Sequence, residues 1–380
     1  MIEYIASLLK ASWLLDDNIF HNEKKGLKFL KKAMSLGRKY GIINTFLETR
    51  PVKTRMCMKA LEQGIEVPYV QTLIKRLELI PDESPFHYEN WSWPLKIFTM
   101  GGFKIYRDGV HIELSRKAQY KPMELLQFLV VHYEKGAEVD QVSSVLWREA
   151  SFEDAHQTLD TNIHRLKKLL GSNDAVITQA GRVRLNPHKC WVDAAAFEYF
   201  VKSTEVLLDK NNVSAKHLEY NPAPSQEKKN GIPHRLVHGK YAQAAGLHTG
   251  DYQFHNQIKD MEGRIIALYK GDFFNQESLS SWAINYRNRL HDRFTHFLEK
   301  LGSYYEGAGY PGQAILVYKK GLEIDNSAEL FYQRLMILYK SLGRYAEAVA
   351  VFKRCETILS RIFNLGASDK TKEIYQNIIK

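Results

Sequence analysis

The sequence predicts a mainly α chain with one small α+β domain in its middle and helical-repeat segments flanking it. Three observations predict this. Apolar residues recur at i, i+3/i+4 spacing through residues 1–80, and again from about residue 271 to the end. Strand-like alternation replaces that spacing between Leu95 and Leu114. Between these regions lies DAHQTLDTNIHRLKKLLG (Asp154–Gly171), one amphipathic helix, followed by AVITQAGRVRLNP, two short strands turning at Ala180-Gly181.

In chain order, four helices are expected at Ile5–Leu15, Gly26–Leu36, Val52–Gly64 and Tyr69–Leu79. Pro51 and Pro68 sit near helix starts, where a missing N–H does no harm. Four short helices make little core, so residues 1–80 read as the remnant of a longer helical array. Residues 81–94 (PDESPFHYENWSWP) form a linker, with Trp91 and Trp93 placed to pin it to a neighbour. Residues 95–192 form the α+β domain. LKIFTM, FKIY, the turn Arg107-Asp108-Gly109 and VHIEL give a small antiparallel sheet, then come helices at Lys121–Tyr133 and near Gln141–Trp147, then the basic helix and hairpin. Trp147 is expected in the core, and Asp193 is expected to cap the next helix and fix the junction. Residues 193–380 form a second domain that begins with a helix at Ala194–Leu208 and carries a flexible insertion at 211–263. Later in that domain, GYPGQAILVYKKGLEI from Gly309 aligns with GRYAEAVAVFKRCETI from Gly343. The alignment pairs Ala314 with Ala348 and Tyr318 with Phe352. The 34-residue offset is the tetratricopeptide period.

The helix at 154–171 carries the functional signal. Leu159, Ile163, Leu166 and Leu170 make its apolar face, while Gln157, Thr161, His164, Arg165 and Lys168 lie opposite with Lys167 on the flank. These side chains suit base edges and phosphates. Arg182 and Arg184 fall on the return strand of the hairpin. From Thr161 to Lys189 there are six Lys/Arg against one acid, Asp174. A helix that can lie in a groove, with a basic hairpin beside it, is the layout of a winged helix. On this reading the chain binds DNA.

Composition agrees with that reading. A net charge of +10 favours a polyanionic partner. Cys57, Cys190 and Cys355 are far apart and odd in number, which implies neither a disulfide framework nor a CxxC metal site. The N-terminal MIEYIASLLK has no signal-peptide pattern, and no apolar run reaches transmembrane length, so a cytoplasmic chain without membrane association is expected. No phosphate loop, HExxH, GxSxG, dinucleotide fingerprint or calcium loop occurs. The chain is therefore read as a non-enzyme without a cofactor. His217, His234, His238, His248 and His255 cluster in the insertion. His234 and His238 have i, i+4 spacing, but no cysteine or carboxylate cluster supports a metal site there.

The middle section resembles the OmpR-type winged helix of the antibiotic-regulatory-protein (SARP) family. The likeness rests on KPMELLQFLVVHYEKGAEVDQVSSVLW, AHQTLDTNIHRLKKLLG and NPHKCWVDAAAFE. The region from Gly271 resembles the bacterial transcriptional activator domain, through GDFF, WAINYRNRL, LMILYKSLGRYAEAVAVFKRCETIL and LGASDKT. Residues 1–80, through KALEQGIEVPYVQTLIKRLEL, look like the last repeats of large regulators that join a sensor array to these domains. Val183 departs from the pattern, standing about where the family has an aromatic, and the 211–263 insertion is longer than the usual connection.

The resemblance implies a transcriptional regulator, an activator, whose recognition helix enters the major groove with the wing alongside. Arg165 and Lys167 occupy the family's two basic core places, and Thr161 and His164 fall at places that face DNA. Arg165 is the first choice for a base-edge contact, since a guanidinium bonds both guanine O6 and N7. Lys167, Lys168, Arg182 and Arg184 suit phosphates. The resemblance also implies tandem direct repeats in double-stranded DNA, contact with RNA polymerase, and helical repeats used for self-association or for a modulator. Alternatively, Arg165 pairs with Asp154 or Asp160, and the chain is a helical-repeat adaptor whose winged helix no longer binds DNA.

Overall fold

The computed structural model describes residues 1–16, 22–44, 49–113, 120–149, 151–215, 249–274 and 280–380. The chain divides into two units, Met1–Ala196 and Phe197–Lys380. Of the insertion expected at 211–263, residues 216–248 lie outside the described residues. The flanking residues continue the helices Asp193–Ala215 and Thr249–Leu268. His217, His234, His238 and His248 also fall outside the described residues.

In the first unit the apolar spacing of residues 1–80 produces α1 (Ile2–Leu14), α2 (Glu23–Tyr40), α3 (Arg50–Glu62) and α4 (Val67–Arg76). Pro51 and Pro68 stand in the first turns of α3 and α4. Their core is Tyr4, Leu8, Leu30, Met34, Met56, Leu61, Val70 and Leu73, all buried. At Gly37 there is no room for a β-carbon, because the Tyr69 ring of α4 lies against the backbone there.

The segment 81–94 leads from these helices into a sheet. Trp91 and Trp93 are buried. Trp93 Nε1 donates to Tyr88 O at 2.8 Å, Gln71 Nε2 to Asn90 O at 2.8 Å, and Asn90 Nδ2 to Leu61 O at 3.0 Å. Trp191 Nε1 donates to Phe86 O at 2.8 Å. A proline-rich stretch without a period is held by side chains that satisfy its backbone carbonyls.

The α+β region runs β1 (Leu95–Phe98), β2 (Lys104–Arg107), β3 (Val110–His111), α5 (Tyr120–Val131), β4 (Ala137–Glu138), α6 (Val139–Leu146), α7 (Phe152–Leu170), β5 (Val176–Gln179), β6 (Arg182–Leu185) and β7 (Cys190–Val192). One sheet has the order β3-β2-β1-β7, with β1 antiparallel to β2 and parallel to β7. The other has the order β4-β6-β5. Helices α5, α6 and α7 pack on one another around Leu125, Leu129, Val142, Leu159 and Leu166. Lys121, from the Lys-Pro start of α5, bonds Glu124 at 2.9 Å and the Leu146 carbonyl at 3.2 Å, tying α5 to the end of α6. Trp147, expected in the core, is only half-buried. It occupies the C-cap of α6, where the helix ends.

Asp193, the first residue of α8 (Asp193–Ala215), does more than cap a helix. Its buried carboxylate accepts from Thr99 N, Thr99 Oγ1, Met100 N and Ala194 N, between 2.6 and 3.0 Å, and so binds the end of β1 to the start of α8. Burial pushes this carboxyl up from the ordinary carboxylate range, and the four donors oppose that shift.

The second unit adds α9 (Thr249–Leu268), α10 (Ser281–Gly307), α11 (Pro311–Ile324), α12 (Glu329–Ser341), α13 (Tyr345–Phe363) and α14 (Asp369–Ile379). From α10 to α14 each helix packs on the next. The paired Ala314 and Ala348 are both fully buried, as close helix crossings require. Tyr318 is buried against Gly302 of α10, and Phe331 of α12 against Gly321 of α11, so that neither glycine has room for a β-carbon. His255 stacks on Tyr310 with ring centroids 4.2 Å apart. In LGASDKT, Ser368 caps α14, and Glu329 of α12 accepts from Ser368 N at 3.0 Å and Thr371 Oγ1 at 2.5 Å. All three cysteines are buried and free. No helix among the described residues is long and apolar enough to cross a membrane.

Two substitutions test this packing by chemical denaturation. Asp193→Ala strands the Thr99 and Met100 N–H groups in a dry site and should cost about 3 kcal/mol. Gly302→Ala forces the Tyr318 ring to move and should cost about 1–3 kcal/mol.

Candidate nucleic-acid interface

The residues that could read a duplex are set by how α7 is anchored. At its start Ser151 Oγ accepts from Asp154 N at 3.3 Å and donates to the Asp154 carboxylate at 2.6 Å. At its end Gly171 takes the left-handed conformation (φ +66), and Ser172 N closes on Lys167 O at 3.1 Å. Leu159, Ile163, Leu166 and Leu170 are buried between these ends. Each such side chain contributes about 1.5–3 kcal/mol by leaving water, enough together to fix the helix's rotation.

That rotation decides what faces out. Gln157, Thr161, His164, Arg165 and Lys168 are exposed, and Lys167 is half-buried on the flank. Thr161 Oγ1 donates back to Gln157 O at 3.0 Å, which holds the hydroxyl on the helix surface. Asp154 is engaged with Ser151, and Asp160 meets no cation among the described residues. Arg165, His164 and Lys168 likewise have no carboxylate partner among the described residues, so the ion pair of Arg165 with Asp154 or Asp160 is not formed. A planar guanidinium and an ammonium that are not held in ion pairs can bond base edges and phosphates.

The wing is a two-residue hairpin. Ala180 and Gly181 both take positive φ (51° and 71°), and the ladder sets Gln179 opposite Arg182 and Thr178 opposite Val183. Val183 points inward, fully buried, and pairs with Ala137 of β4. Arg182 is exposed but engaged: it bonds Glu138 at 2.9 Å and the Lys135 carbonyl at 3.0 Å. Arg184 is half-buried and has no acidic partner among the described residues. His188 lies below the ordinary histidine range, through burial first and then the neighbouring Arg184 and Lys189 cations, so it adds no charge at neutral pH. The structure thus groups Gln157, Thr161, His164, Arg165, Lys167 and Lys168 on one helix. It places Arg182 and Arg184 on the adjoining hairpin, one committed to an ion pair and the other not.

Sequence reasoning missed Arg107. Its guanidinium lies against Gly171 so closely that a β-carbon there would have no room. A cation at the C-terminal end of α7 meets the negative end of the helix dipole. Its neighbour Asp108 receives Lys75 of α4 at 2.8 Å. No local pattern signals this contact, because the two residues come from distant segments.

Residues 242–379 match the family model described as bacterial transcriptional activator domain. Among solved structures, the chain is similar to Mycobacterium tuberculosis EmbR, whose structure is of a complex with a low affinity phosphopeptide. The two are 15% identical with a TM-score of 0.48, over 75% of this chain and 65% of that one. This chain therefore spans less than two thirds of the length of that relative. A comparison with curated proteins found no match.

The wing turn gives a direct check on its backbone. Alanine is strained at positive φ, whereas Asn-Gly suits this turn. Ala180→Asn should therefore raise stability by about 1 kcal/mol in urea unfolding.

Proposed function

We propose that this chain, whose residues 242–379 match the bacterial transcriptional activator domain, is a SARP-type, cytoplasmic DNA-binding transcriptional regulator, an activator rather than an enzyme. The observation that carries the reading is the outward face of α7. Arg165 and Lys168 stand there exposed and, among the described residues, without carboxylate partners, beside Gln157, Thr161 and His164, while the opposite face is locked in a core. In this reading α7 enters the major groove of double-stranded DNA. Arg165 bonds a guanine edge, and Gln157, Thr161 and His164 face neighbouring bases. Lys167, Lys168 and Arg184 contact phosphates. Arg182 contributes mainly by holding the wing to Glu138 and the Lys135 carbonyl, and less by touching DNA.

One winged helix supplies few base contacts, so useful specificity calls for two copies on tandem direct repeats. The helical repeats of residues 281–380 then serve self-association or contact with RNA polymerase.

Selection of DNA sequences with the purified protein, then binding to the best site across a salt series, tests this function. A recovered motif, affinity that falls steeply with salt, and a loss of about 1–3 kcal/mol in Arg165→Ala are expected. No enriched motif, with wild type and Arg165→Ala alike, would overturn it in favour of an adaptor built on the helical repeats.

A further inference from the structure

The second strongly charged surface of the first unit is on α2. This helix holds seven Lys/Arg (Lys24, Lys25, Lys28, Lys31, Lys32, Arg38 and Lys39) against one acid, Glu23. Glu23 is itself bound by Lys59 of α3 at 3.0 Å. At 100° per residue the seven cations fall within one arc of about 140°, opposite the buried Gly26, Leu30, Ala33, Met34 and Gly37. Two are spent inside the fold: Lys32 on Glu3 at 2.6 Å and Arg38 on Glu66 at 2.7 Å. Lys24, Lys25, Lys28, Lys31 and Lys39 are exposed and meet no carboxylate among the described residues.

A solvated helix face ordinarily mixes both signs, with acids four residues from bases. Here Lys24, Lys28 and Lys31 repeat at i, i+4, i+7 with no acid between them, so each raises the self-repulsion of the others. Such a row is relieved by a polyanion. The apolar face of α2 is already buried in protein, with Leu30 and Ala33 at 0% exposure, so the helix has nothing to insert into a lipid surface. The row from Lys24 to Lys39 is about 22 Å long, over which a duplex carries roughly 13 phosphate charges. Lysines, as flexible point charges, suit phosphates without regard to sequence.

A line of contacts inside the first unit joins this surface to α7. Gly37 of α2 packs on Tyr69 of α4, Lys75 of α4 bonds Asp108, and the adjacent Arg107 lies on Gly171 at the end of α7. Helix packing and rise make the steps from Gly37 to Gly171 roughly 30 Å, and Lys31 to Lys24 lie about 9–20 Å further along α2, so this path is at most about one and a half 34–36 Å turns of DNA.

We propose that the lysine face of α2 is a second DNA contact, which holds the phosphate backbone flanking the site read by α7 and adds affinity without sequence preference. The proposal rests on the DNA-reading function of α7. The test uses the full chain, the selected site as a short duplex, and the same site extended by about 15 base pairs on each side, roughly one and a half turns. Wild type should bind the extended duplex more tightly and with a steeper dependence of log K on log salt. In Lys24→Gln/Lys28→Gln/Lys31→Gln that slope should be shallower by about 2–3, at about 0.9 per lost phosphate contact. Binding to the short duplex, and preference for the selected motif, should stay as in wild type. The triple Lys→Arg variant should keep the wild-type slope. The proposal is overturned if flanks add nothing to wild-type binding, if the Gln variant keeps the full slope, or if the Arg variant loses it. Arg165→Ala separates the two ideas. Motif preference that depends on Arg165, with no effect of the Gln variant, leaves the reading function standing and removes only the α2 contact. Absence of any motif removes both.

Discussion

The burial of four aliphatic side chains along one stripe of α7 is the constraint on which the rest of the interface depends. Leu159, Ile163, Leu166 and Leu170 leave no freedom for the helix to roll, so the polar residues between them are aimed outward by default. Evolution can then vary the outward set without disturbing the core, because the two faces share no atoms. The ends of the helix add the second half of the constraint. Ser151 and Asp154 satisfy the first turn, Gly171 ends the last, and Arg107 occupies the space that any side chain at Gly171 would need. These contacts hold α7 at both ends, which is the precision that the proposed reading of DNA by this helix requires.

Asp193 plays the corresponding part for the sheet. Strand β1 ends at Phe98, and the N–H groups of Thr99 and Met100 just beyond it would otherwise be buried without partners; one carboxylate takes both. The same group receives Ala194 N, so the end of a strand and the start of α8 share one acceptor. A buried carboxylate is costly on its own, and four donors are what make it tolerable. In the second unit the equivalent device is steric. Tyr318 and Phe331 occupy the space that side chains at Gly302 and Gly321 would fill, so helices α10, α11 and α12 can approach closely. Glu329 then fastens α14 through Ser368 and Thr371.

How much of this was legible in the sequence follows from whether each feature is local. The faces of α7, the Ala180-Gly181 turn and the 34-residue repeat are periodic or conformational signals carried by neighbouring residues, and they could be read directly. The exposed set Gln157, Thr161, His164, Arg165 and Lys168 came from the same periodicity. The contacts that needed the fold join distant segments: Arg107 to Gly171, Asp193 to Thr99, and Arg182 to Glu138. The last changes the reading of the wing, because a guanidinium bound to a carboxylate and a backbone carbonyl is less available to a phosphate than the neighbouring Arg184. Trp147 shows the limit of residue type as a guide. A large aromatic at the end of an apolar helix suggests a core position, yet the C-cap geometry of α6 leaves it half-buried.

The distribution of charge carries the reasoning one step further. Sequence-specific reading and overall affinity are separable, since base edges provide the first and phosphates most of the second. On the proposed function, helix α7 offers one guanidinium and a few short polar groups to bases, with acids at Glu153, Asp154 and Asp160 toward its N-terminal half. In that proposed role the acids weaken nonspecific attraction to phosphates at α7, which favours discrimination over grip. Helix α2 has the opposite make-up: flexible lysines, one neutralised acid, and an apolar face already committed to α1 and α4. A chain that reads with one helix and holds with another can keep its motif preference while tuning its residence on DNA. In that arrangement the α1–α4 array adds grip to the winged helix, and the six surplus positive charges of α2 account for over half of the chain's net +10.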